Sequence, residues 1–220
     1  MSLDPLDVGL SLCLMLVVPA YNLWRSLTRD RRPPETRERR YLRGMAIAAV
    51  LTALLVIVWS DGERPLAQLG LGWPIAVPGL IGLGIAAALL LGLAAMSWLT
   101  RPCAEAPPPS PMLPETPAEW RLFVISMPII AVAWELLYRG YLVWMIEPRL
   151  GIVAAVVLPA LAYGVAHGYQ GRTQFIGSIV SALLFTLGFV LTRSLWWLML
   201  IHVALPLFGA VAQKRVSAPR

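Results

Sequence analysis

Two histidines, His167 and His202, occur in the whole 220-residue chain, and one otherwise apolar stretch carries a single acid and a single base, Glu135 and Arg139. On a helix, residues four apart share a face, and an acid on the N-terminal side of its base is the favourable order for an ion pair. The guanidinium would hold the carboxylate ionised against the opposing effect of desolvation. Taken alone, the pair suits a structural clamp between helices. Imidazole can ligate a metal, hold a water or shuttle a proton near neutral pH. Taken alone, either histidine better suits a hydrogen bond between helices. Together, Glu135, His167 and His202 have the make-up of a His/His/carboxylate set that binds a divalent metal such as Zn²⁺ or polarises a water, provided the helices that carry them meet.

The solvent around these groups follows from composition. Hydrophobic residues make up 58% of the chain and charged residues only 14%, and mean hydropathy is +0.71. Soluble domains run near half apolar and about a quarter charged, so a soluble enzyme, a disordered chain and a disulfide-rich module are excluded. Cys13 and Cys103 belong to no ligand spacing and give no disulfide framework or thiolate metal site. The chain opens on Asp4 and Asp7 where a cleavable export signal wants a basic start, so the first apolar run is expected to stay as an anchor.

Uncharged runs near the roughly 20 residues a spanning helix needs fall at 8–24, 44–60, 74–100, 150–166, 173–192 and 194–213, and the run 122–146 adds a seventh despite Glu135 and Arg139. The expected fold is therefore an all-α polytopic membrane bundle of about seven transmembrane helices. Eight arginines crowd residues 25–43, and placing that loop in the cytoplasm puts 14 of the 18 basic residues inside. The positive-inside rule then gives an outside N terminus and a cytoplasmic C terminus. A basic cluster between apolar runs is expected to face anionic lipid headgroups. Nucleic acid is not the expected partner, because no folded module accompanies the cluster. A Pro-rich linker, 101–119, separates a three-helix part, 1–100, from a four-helix part, 120–213, with a basic tail at 214–220. Small residues four apart, Gly84-Ala88-Gly92 and Gly164-Gly168, are expected to allow close helix contact. Tryptophans fall at span ends, the headgroup level their rings favour, except Trp134, which lies mid-span beside Glu135.

Trp134-Glu135-Leu136-Leu137-Tyr138-Arg139-Gly140 resembles the EExxxR motif of the CPBP intramembrane proteases, the CAAX prenyl protease 2-like family. Tyr163-Gly164-Val165-Ala166-His167 is similar to the family's FxxxH, with Tyr163 for Phe, and His202-Val203-Ala204-Leu205-Pro206 to its HxxxN or HxxxD. Gly168-Tyr169-Gln170-Gly171 and Thr192-Arg193-Ser194-Leu195-Trp196 also read as family phrases. The resemblance runs from about 128 to 209 and makes 120–213 the expected protease core. It implies a multi-pass endopeptidase of the bacterial cytoplasmic membrane, cleaving a membrane-associated protein or peptide with activated water. It further implies that Glu135, His167 and His202 are catalytic or metal-binding, supported by Arg139 and Tyr163. The chain departs from the pattern twice. Trp134 replaces the first Glu, and an indole can neither take a proton from water nor bind metal. Pro206 replaces the Asn or Asp, removing a polar side chain and a backbone donor together. The alternative expectation is thus a catalytically silent relative acting as a membrane binding or bacteriocin-immunity-type module. A transporter has less support, since one ion pair and two histidines make a thin polar path and no pair of interrupted helices stands out.

Overall fold

The structure is a computed structural model that describes residues 4–99 and 113–217. Cys103 and most of the Pro-rich linker, 101–112, lie outside the described residues, as do 218–220 of the basic tail. All described elements are helical. They are α1 (Pro5–Leu27), α2 (Arg37–Asp61), α3 (Val77–Leu99), a continuous helical unit over Pro117–Ala166, α6 (Arg172–Thr192) and α7 (Trp196–Ser217).

Local sequence sets where these helices start. Asp4 caps α1 by accepting from the Leu6 N–H, with Pro5 at the first helical position, and the Thr36 hydroxyl caps α2. Thr116 and Glu119 form a reciprocal capping box at the head of Pro117–Ala166, again with proline at the first position. Such pairs satisfy two amide donors that the helix itself leaves without acceptors.

Among the described residues, six helices are long and apolar enough to cross a membrane, including the unit Pro117–Ala166 of 50 residues. At about 1.5 Å per residue that unit would measure roughly 75 Å, against a hydrocarbon core of about 30 Å. It does not run straight. Gly151 adopts φ 79°, ψ 171° and breaks it, so it holds two of the seven expected spans, here α4 (117–150) and α5 (152–166). The chain is an integral multi-pass membrane protein.

Packing brings the two halves of the chain together. α2 lies along α4, α1 along α5, α3 along α7, and α5 against α6. Of the small-residue pairs, Gly164 makes the expected close approach, with the Ile179 backbone 2.8 Å from where a Cβ would sit, whereas Gly84 and Gly92 face open space. Gly168 serves a different purpose from the one its spacing implies. It ends α5 at φ 72° and meets Ser26 and the Asn22 carbonyl on α1, so it needs both the left-handed backbone and the missing side chain.

Two π-helical turns interrupt the α-helices, at Cys13–Val17 and Glu135–Tyr141, and they touch. In the first, Val18 N–H donates to Cys13 O, leaving the Leu14 carbonyl to find a donor at Pro19, which has none. The Tyr138 hydroxyl supplies it at 2.8 Å from the second turn. Farther along, Tyr141 donates to the Asp7 carbonyl, and Arg64 grips the Asp7 carboxylate through two hydrogen bonds of 2.9 and 2.7 Å. The bond to Asp7 raises the affinity of the Arg64 guanidinium for its proton. That guanidinium also lies over Trp59 and Trp144. The N-terminal helix is thereby bolted to the middle and the far end of the segment that carries Glu135 and Arg139.

A Cβ at Gly151 would meet nothing within 4 Å, so any cost of adding one is backbone strain in a region open essentially to glycine alone. Gly151→Ala is expected to destabilise the protein by about 1–3 kcal/mol, read as a lower thermal unfolding midpoint in nanodiscs. An unchanged midpoint would show that the break between α4 and α5 is not held by this residue.

Candidate functional site

The second π-turn carries Glu135 and Arg139 to the centre of the bundle, both fully buried. The Arg139 Nη1 donates to Glu135 Oε1 at 3.3 Å, the pairing their spacing predicts. His202 of α7 approaches the same oxygen, with its Nδ1 at 2.6 Å. An ionised carboxylate only accepts, so Nδ1 carries the proton. The other ring nitrogen, Nε2, faces the Tyr163 hydroxyl at 3.1 Å and is left to accept from it. A continuous chain results, Tyr163 to His202 to Glu135 to Arg139. The Arg139 guanidinium also lies 4.0 Å from the centroid of the Tyr163 ring, a cation–π contact that softens its desolvation.

His167 caps the C-terminal end of α5. Its Nδ1 donates to the Tyr163 carbonyl at 2.9 Å, fixing the tautomer in which Nε2 keeps its lone pair. Tyr163 therefore touches both histidines, His167 through its backbone and ring and His202 through its hydroxyl. The loop after His167 is held by α1, where Asn22 donates to the Ala166 carbonyl and the Ser26 hydroxyl accepts from the Tyr169 N–H. Asn22, Ser26 and Tyr138 escape motif reading because their partners lie more than 120 positions away in the chain. The only sequence signal was Pro19, which spoils the α-helical hydrogen-bond ladder of α1.

Three polar atoms at the centre are buried without a hydrogen-bond partner: Glu135 Oε2, Arg139 Nε and Arg139 Nη2. Buried polar groups are rarely left so, and such a cluster marks either a ligand position or stored strain. These are one acceptor and two donors, side by side in a low-dielectric setting.

The expected metal set does not assemble. Among the described residues, no group of three or more His, Cys, Asp and Glu stands where it could hold a metal ion. The reason lies in the hydrogen bonds. His202 spends one nitrogen on Glu135 and the other on Tyr163, leaving only Glu135 Oε2 and His167 Nε2 as donors, where protein zinc sites use three or four. Both departures from the motif, Trp134 and Pro206, line an apolar cavity of about 790 Å³ that also reaches Arg40 and Arg43.

Residues 116–208 match the model of the family described as type II CAAX prenyl endopeptidase Rce1-like. The matched segment holds every residue of the Tyr163–His202–Glu135–Arg139 chain, together with His167, Trp134 and Pro206. The match covers 93 of the 220 residues and supports a CAAX-type intramembrane protease fold for that segment. No curated protein and no solved structure matches the chain.

Removing one partner of a buried ion pair strands the other charge, at about 3–5 kcal/mol, while replacing both with apolar groups is often neutral. Arg139→Met is thus expected to destabilise the protein by that amount. The double variant Glu135→Met/Arg139→Met is expected to recover most of it, as read by thermal unfolding of the protein in nanodiscs. A double variant no more stable than Arg139→Met would show that the clamp does more than pair two charges.

Proposed function

We propose that this chain is an intramembrane endopeptidase that hydrolyses a peptide bond in a membrane-associated protein or peptide, with Glu135 as its base. The observation that carries this reading is the division of labour at the carboxylate. Oε1 is held by Arg139 and His202, while Oε2 is buried and unpartnered. In the proposed reaction a water hydrogen-bonds to Oε2 and gives it a proton as its oxygen bonds to the scissile carbonyl carbon. The resulting oxyanion accepts from the free Nε–H and Nη2–H of Arg139, donors prearranged for charge that develops only at that stage. As the C–N bond breaks, the Glu135 carboxylic acid returns the proton to the leaving amine. His202 fixes the carboxylate, and Tyr163 fixes His202. His167 keeps its Nε2 lone pair on the side facing the arginine-rich loop. No step passes through a metal. His202, with 22% of its side chain exposed, marks where the site opens. We infer from the basic loop that this end faces the cytoplasm, with the N terminus outside and the C terminus inside, in a bacterial cytoplasmic membrane.

One observation favours a second reading. Trp134 and Pro206 stand where the family pattern has acidic or amide residues, and both turn to an apolar cavity. A catalytically silent relative that binds a membrane partner there would need nothing of Glu135 beyond its clamp.

A membrane-proximal peptide reporter, incubated with the purified protein in liposomes, separates the two. Glu135→Gln is expected to lower the rate by about 10²- to 10⁴-fold, the usual contribution of a general base. His202→Ala should cause a comparable loss, Tyr163→Phe a smaller one, and a chelator no loss. Turnover no faster than empty liposomes would sink the protease reading and leave the binding module. Full inhibition by the chelator would overturn the metal-free step.

A further inference from the structure

The apolar cavity beside Trp134 does not stand alone. A second cavity of about 640 Å³ adjoins it, and the two share Asn22, Arg40 and Arg43 as walls. The first lies between α1, α2 and α4, walled chiefly by aliphatic side chains such as Val17, Ile47, Val50 and Ile130. The second is lined by Arg25, Arg29, Arg32, Arg40 and Arg43, with Asp30 and Glu35 the only carboxylates. Burial acts to raise the Glu35 carboxyl, but Arg43, Arg25 and Arg40 outweigh it and keep it below the usual range. Glu35 thus stays anionic, bound to Arg25 at 3.0 Å and to Arg43. Five guanidinium groups against two carboxylates leave three positive charges in excess. Both cavities are large enough for ligand-sized groups.

The order of these chemistries along the helices matches one kind of molecule. The arginines come from the end of α1, the loop after it and the first turns of α2, where the chain leaves the apolar spans, and the aliphatic walls lie one to three turns deeper. We infer that the paired cavities bind a phosphate-headed lipid, its hydrocarbon chain in the compartment bounded by Trp134 and Pro206 and its phosphate among the arginines. Guanidinium groups suit phosphate because their forked donors match its oxygens. A zwitterionic lipid brings no net charge to offset three cations. The inference does not rest on hydrolysis at Glu135 and holds for an active or a silent protein.

Native mass spectrometry of the full chain, extracted in detergent after exposure to equal amounts of phosphatidylglycerol and phosphatidylcholine, provides the test. One phosphatidylglycerol per chain is expected to be retained, at least tenfold over phosphatidylcholine. Arg29→Gln/Arg40→Gln should remove that preference, and Arg29→Lys/Arg40→Lys should keep most of it. Val50→Trp, which fills the apolar compartment and leaves the arginines alone, should lower retention about as much as the glutamine pair. If the glutamine variant fails to fold, Val50→Trp decides. Equal retention of both lipids, or retention unchanged in Val50→Trp, overturns the proposal in favour of ordinary surrounding lipid. Displacement by soluble glycerol phosphate at matched concentration overturns it in favour of a free-anion site. Displacement by a lipidated peptide at concentrations where phosphatidylglycerol does not compete overturns it in favour of a peptide site.

Discussion

A carboxylate without access to water inside a membrane protein costs several kcal/mol unless its surroundings replace what water provided. Glu135 sets that condition here, and much of the central architecture reads as its answer. Arg139 supplies the countercharge from the same helix, and His202 supplies a donor from α7. Tyr163 then occupies the far nitrogen of His202 and the face of Arg139 at once. Each of these positions must be rigid, since a side chain that drifted would leave an unpaired charge in a low dielectric. Rigidity comes from α1, which pins the π-turn at Tyr138 and Tyr141 and the end of α5 at Ala166 and Tyr169. The first helix, outside the family match, is thus a structural partner of the site.

The fold was largely legible in the sequence because the membrane imposes a length on every apolar run. The seven runs correspond to the helices described, including the two spans merged in Pro117–Ala166. Glycine at 151 permits their separation, although only a backbone geometry reveals that it is the residue that turns. The Glu135–Arg139 pair and the proximity of His202 to Glu135 were also within reach, since ionisable groups in a bilayer seek one another. The full contacts of His202 were not, and the reason is specific. Residue type tells that imidazole can ligate or hydrogen-bond, but not that both nitrogens of His202 meet partners here. The π-turns were hidden for a similar reason. Only Pro19 hinted at one, and its effect is read in the carbonyl it leaves without a donor.

The Asp7–Arg64–Tyr141 contact shows the same limit from the other side. In the sequence Asp7 is one acidic residue near the start and Arg64 one basic residue in a loop. Folding places them as a bidentate pair beneath two indoles, with Tyr141 closing the network. Its value is positional. It anchors the outer end of the π-turn whose inner end begins at Glu135, so that the site is braced along the turn and not at one point.

Charge accounting connects the two departures from the family pattern with the hydrogen bonds that are seen. A motif with two adjacent acids and one arginine carries an excess negative charge, which favours a bound cation. With Trp134 in the first position, the charges of Glu135 and Arg139 balance. The same substitution turns the neighbouring wall apolar, and Pro206 continues that wall from α7. One change of residue type therefore acts twice, neutralising the polar centre and extending the hydrophobic compartment next to it. Asn22, which walls both cavities and holds the Ala166 carbonyl beside His167, is the physical link between that compartment and the polar chain.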